Sequence, residues 1–114
     1  MQIIQQRIQQ DTGTLRKLQA AGDDEQLVRY VDHSFESDDE NKLTQLQEQL
    51  TSIGFENFDL HSPEETSQFL LECTSIDCTE FHNIAKTSVL MALLAEHYQV
   101  SYSGWGCAVA SESV

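Results

Sequence analysis

Cys73, Cys78, His82 and Cys107 are the side chains of this sequence whose types come nearest to a chemical site. Three thiolates and an imidazole are the donors of a structural zinc centre. The spacing is wrong for one, because no two cysteines form the tight CxxC knuckle that such centres use. On a strand, positions 73 and 78 point to opposite faces unless the chain bends between them. Free thiols in or near the core are therefore expected, with no metal and no other cofactor. His33 follows Asp32, but strand neighbours face opposite ways, so Asp32 is badly placed to orient the ring. Ser34 lies in no G-x-S-x-G elbow. Nothing marks a Cys–His nucleophile pair, His33 reads as a hydrogen-bonded structural residue, and the chain does not read as an enzyme.

Charge is the other property able to act. The 114 residues carry 6 Lys and Arg against 19 Asp and Glu, a formal net charge of -13. Binding DNA or RNA directly is disfavoured, since phosphates demand basic side chains. An anionic membrane surface is disfavoured for the same reason, and no apolar run has the length to cross a bilayer. A basic protein partner is favoured instead, with a long-range attraction that weakens as salt is added. The acidic residues gather at Asp23, Asp24 and Glu25, and again at Glu36, Asp38, Asp39 and Glu40. Local stability alone explains part of the second run, because carboxylates at a helix start complement its dipole. Three cysteines and an opening MQIIQQRIQQ without an apolar signal core predict reduced thiols and a cytoplasmic location.

The length predicts one domain over 1–114, divided into an N-terminal helix (1–22) and a core (23–110). Ile4, Ile8, Leu15 and Leu18 predict a helix over 2–21, weakened near Thr12-Gly13 and stopped by Gly22, with its Gln-rich start in solvent. LVRYVDHSF predicts a strand over 27–35. Ser37 and Glu40 have capping-box spacing ahead of a helix with Leu43, Leu46, Leu50 and Ile53 on one stripe, ended by Gly54. GFENFDLH predicts a strand whose buried face is ambiguous, and Ser62-Pro63-Glu64-Glu65 a turn. SQFLLECTSI is the next strand, Thr79 caps a helix running to Tyr98, and VSYSGWGCAV closes the chain as a strand. An initial helix is thus followed by β-α-β and β-α-β. That order predicts an α+β, ferredoxin-like split βαβ sandwich, with two helices on one face of a four-stranded antiparallel sheet.

The last strand lies at a sheet edge in that topology and holds the only Trp between two glycines, YSGWGC. Without a bulge, Tyr102 and Trp105 point to opposite faces; a bulge at Gly104 brings them to one. Trp105 then either covers the core beside the first helix or stands out as a binding anchor, and packing is the favoured alternative.

The stretch AEHYQVSYSGWGC resembles the closing segment of the regulator of ribonuclease E activity B (RraB) family. Ala95, Glu96, Tyr98, Val100, Tyr102, Gly104, Trp105 and Gly106 fit that family's pattern. Gly22, Asp23, Asp24, Asp32, His33, Asp38-Asp39 and Gly54-Phe55 resemble further parts of it, so that the likeness spans most of residues 12–107. Ser103 stands where the family has Asp, and Cys107-Ala108 where it has a polar-aromatic pair. The resemblance implies a non-enzymatic protein that binds ribonuclease E and restrains RNA decay, with contact through the nuclease's basic, largely disordered half. A diverged paralogue with another basic partner, or a ligand-binding regulatory module able to form a homo-oligomer, are the alternatives. Asp23, Asp24, Glu25, Glu36, Asp38, Asp39, Glu40, Tyr102 and Trp105 are the expected partner-binding residues.

Overall fold

A computed structural model describes residues 2–63 and 67–111. The elements run α1 (Gln2–Ala20), β1 (Arg29–Ser37), α2 (Glu40–Ser52), β2 (Glu56–His61), β3 (Phe69–Asp77), α3 (Phe81–Tyr98) and β4 (Ser101–Gly106). All strand pairings are antiparallel, in the order β2-β3-β1-β4. The described residues form an α+β protein of three helices and a four-stranded antiparallel sheet, compatible with the ferredoxin-like expectation. Residues 64 and 65 of the expected turn lie outside the described residues.

Alternation along β1 sets the sidedness of the sheet. Val31, His33, Phe35 and Ser37 are buried, whereas Tyr30, Asp32 and Glu36 are exposed. Phe35, Leu71 and Cys73 meet Leu43, Leu46 and Leu50 of α2 and Met91 and Ala95 of α3 in the larger core. Val31 meets Leu15 of α1 and Ile84 of α3 in a smaller one, with Trp105 packed against it. Each fully buried Leu contributes about 1.5–3 kcal/mol relative to exposure. The helices therefore lie on one face of the sheet and leave the other open.

Local chemistry fixes the helix ends, in places differently from expectation. Leu18 accepts from the Asp23 amide at 3.0 Å, and Gly22, with φ 90°, closes α1 in a Schellman-type turn. The α1 helix runs through Thr12-Gly13 unbroken, its Thr12 and Thr14 hydroxyls donating to carbonyls one turn back. The cap of α2 is Asp39, which accepts from the Asn41 amide at 2.9 Å. Ser37 does not cap with Glu40; it ends β1, and its hydroxyl accepts from the Asp39 amide. Ile53 sits at the C-cap and is exposed, so the α2 stripe stops at Leu50. The α3 cap is Glu80, accepting from the amides of His82 and Asn83, because the Thr79 hydroxyl is used elsewhere.

Both edge strands carry a bulge. In β4 the register shifts so that Ser34 faces Gly104 and Phe35 faces Tyr102, leaving Ser103 as the extra residue, with Gly104 at φ 121°. This is the bulge expected from YSGWGC, and it turns Tyr102 and Trp105 to the helix side together. In β2 the shift falls between Glu56 and Asp59, with Asn57 at φ 57°. That resolves the ambiguous face: Phe55, Phe58 and Leu60 all pack against the core.

Candidate functional site

The thiols do not assemble. Cys73 is buried, Cys78 and Cys107 are half-buried, and all three are free. Burial, reinforced by the Asp32 charge, pushes the Cys73 thiol up to about 12, far from a reactive thiolate. Burial also raises Cys107, although Arg29 opposes it. Among the described residues, the one cluster with ligand atoms close enough to share a cation is Asp59, His61 and Glu72. These are exposed groups on the open face, with His61 Nδ1 3.2 Å from Asp59 and Nε2 3.7 Å from Glu72. No helix of the described chain is long and apolar enough to cross a membrane.

Beneath β4 lies a polar network. Asp11, fully buried on α1, accepts at Oδ1 from the Trp105 indole at 2.8 Å, from Ser88 of α3 at 2.9 Å and from Arg7 at 3.4 Å. Its Oδ2 is buried with no hydrogen-bond partner among the described residues. The Arg7 guanidinium also stands 4.9 Å over the Tyr102 ring, a cation–π contact. The buried face of α1 is thus Arg7, Asp11 and Leu15, not the Ile4–Ile8 line, and Ile8 is exposed. A polar stripe can face inward here because Trp105 and Ser88 bring it donors. The glutamines of the first ten residues are exposed, as expected.

Proton directions in the adjoining chain follow from its terminus. Ser75 donates to Asp77 at 2.8 Å, so its oxygen accepts from His33 Nε2–H at 2.9 Å. His33 Nδ1 is then an acceptor and takes the Tyr102 hydroxyl proton at 2.9 Å. This is a neutral histidine. Burial depresses His33 to about 4, with Arg7 adding to the effect and Asp77 opposing it. Burial likewise raises the Tyr102 phenol well above its usual range. His33 is the structural residue the sequence predicts, and its partners come from β3 and β4, not from Asp32.

The expected partner-binding acids fall at opposite ends of β1. Its eight residue steps, at about 3.3 Å each, separate the ends by about 26 Å. Asp23 has a 1% exposed side chain and bonds to Arg29, to the Thr79 hydroxyl at 2.7 Å and to the Ala110 amide at 2.9 Å. Burial pushes its carboxyl upward, but Ala110, Thr79 and Arg29 outweigh that and hold it below the ordinary value. Asp24 accepts from the Gln26 amide, and the Glu25 carbonyl accepts from the Thr79 amide. At the other end Asp39 is the helix cap, Glu40 opens α2, and Glu36 and Asp38 are exposed. Tyr102 and Trp105 both turn their polar atoms inward. The sequence alone does not mark Arg7, Asp11, Ser75, Asp77 or Ser88; the i, i+4 spacing of Arg7 and Asp11 fits an ion pair on a solvated face as well as a buried one.

Fold and site together describe a small α+β protein whose buried polar groups are engaged in holding elements together, with its thiols scattered. Residues 8–107 match the family described as Regulator of ribonuclease activity B (RraB), and the chain belongs to that family. No curated protein matches the chain.

Proposed function

We propose that this protein binds a ribonuclease E-type endoribonuclease and restrains or retunes RNA decay, acting by occupancy of a basic polypeptide segment and not by catalysis. The observation that carries this reading is the family match across residues 8–107. The net charge of -13 supports a cationic target and disfavours direct contact with RNA. On this reading the fold is the ferredoxin-like sandwich and the protein works in the cytoplasm. Attraction between the acidic surface and the basic segment speeds encounter, and contact then hinders the nuclease's assembly or substrate access.

The test is RNA cleavage by a purified ribonuclease E-type enzyme that retains its basic half, with increasing amounts of this protein, at low and high salt. Slowed or redirected cleavage at low salt that fades at high salt is expected. Unchanged cleavage together with no co-purification of the two proteins at low salt overturns the reading.

A further inference from the structure

The face of the sheet turned away from the helices is chemically one-sided. Strand pairing places Asp32 and Glu36 of β1, Glu72 of β3, and Glu56 and Asp59 of β2 on that face. All six basic residues lie elsewhere: Arg7, Arg16 and Lys17 on α1, Lys42 on α2, Lys86 on α3, and Arg29 turned inward to Asp23. Asp59 sits directly opposite Glu72 in the β2–β3 pairing, and His61 lies between them on the same face, 3.2 Å from Asp59 and 3.7 Å from Glu72. The same face exposes two large apolar side chains that are paired neighbours, Tyr30 at 58% and Ile76 at 56%.

Its surface also has a hollow. Gly106 pairs with Asp32 and Gly104 with Ser34, so β4 contributes no side chains to the open face at either position. The result is a depression of about 260 Å³ floored by the two glycines, with the Asp32 and Glu72 side chains among those lining it. Trp105 lies between those glycines but turns to the helices, which leaves the outer side bare. A guanidinium or ammonium on an aliphatic stem fits such a site, the stem over glycine backbone and the charge between two carboxylates.

We propose that this open sheet face is the docking surface for an extended basic polypeptide segment. One Lys or Arg side chain seats in the glycine-floored hollow between Asp32 and Glu72, and an apolar residue of the segment packs on Tyr30 and Ile76. This assigns a surface to the function proposed above and rests on it for the identity of the partner, though not for the partner's chemistry.

The experiment titrates the isotope-labelled full chain with a synthetic peptide of about twelve residues alternating Arg with Leu and Ala, and follows amide shifts and affinity. Shifts centred on Asp32, Ser34, Glu72, Gly104 and Gly106 are expected. The D32K/E72K variant should bind at least tenfold more weakly, and the milder D32N/E72Q should weaken in the same direction. E48K/E96K, with the same change in net charge on the helix side, should stay within about twofold of the parent. Adding a Cβ at Gly106 meets no atom within 4 Å, so G106V should fold while filling the hollow and weakening binding. Equal loss in E48K/E96K, shifts centred on Asp24–Glu25 or Asp38–Glu40, or tighter binding of an RNA oligonucleotide to this face overturns the proposal. If D32K/E72K retains the ribonuclease undiminished, the surface assignment fails and the function stands. If the parent captures no ribonuclease yet binds the peptide on this face, the function fails and the surface stands.

Discussion

The indole N–H of Trp105 meets the Asp11 carboxylate at 2.8 Å, joining the last strand to the first helix across 94 sequence positions. The same oxygen takes Ser88 and Arg7, so three donors from α1, α3 and β4 converge on one atom. Asp11→Ala leaves a nine-tenths buried guanidinium without its counter-charge and should lower stability by about 3–5 kcal/mol. Trp105→Phe removes one donor and should cost about 1–3 kcal/mol. Urea unfolding of both variants and their combination checks this; a coupling energy of about 0.5–3 kcal/mol is expected for groups sharing a bond.

His33 predicts a pH dependence with a definite sign. Its folded value near 4 lies below the ordinary 6.5, so the unfolded chain binds the proton first. The contribution to stability is complete above pH 6.5, falls as pH drops toward about 4, and flattens below that. At pH 5 the loss amounts to about 2 kcal/mol. His33→Gln should unfold with a shallower pH dependence across that window. Nitrogen shifts of the ring in the parent should report the Nε2–H tautomer at pH 7.

Much of the architecture was readable because it rests on local periodicities. Alternation in the two central strands and the Leu43–Leu46–Leu50 stripe follow directly from side-chain spacing, and the YSGWGC bulge follows from two aromatics three apart around a glycine. The polar interior was not readable, since Arg7 and Asp11 on a Gln-rich helix look like a solvated face. What buries them is the arrival of Ser88 and Trp105 from distant positions. Asp23 misled for a similar reason: within an acidic run it reads as surface, and only the convergence of Arg29, Thr79 and Ala110 takes it out of solvent. The β2 bulge went unseen because Asn, unlike Gly, does not announce a positive φ.

Asp23→Ala should do more than remove a charge. It leaves the buried Arg29 guanidinium without its counter-charge, held only by the Leu27 and Asp24 carbonyls, and unties the Thr79 hydroxyl and the Ala110 amide, for a loss of about 3–5 kcal/mol. Hydrogen exchange should accelerate at the Ala110 and Thr79 amides before the rest of the sheet. Because the folded carboxyl lies below its ordinary value, this stability is present above about pH 4 and lost as pH falls further.

Cys73 should be silent toward a thiol reagent in the folded protein at pH 8. Labelling with an aromatic disulfide reagent should modify Cys107 and Cys78 ahead of it, with Cys73 reacting only at the rate of unfolding. Fast labelling of Cys73 under native conditions would contradict a thiol held near 12.

The paired bulges of β2 and β4 limit how this sheet can grow. A fifth strand laid along either margin would lose step at Asn57 or at Ser103, where an extra residue breaks the ladder. Recruitment by strand addition, and fibre-like stacking of copies through their rims, are thereby discouraged on both flanks at once. Visitors are left the broad side of the sheet, where contact depends on side chains and selectivity can be rewritten without disturbing the backbone beneath.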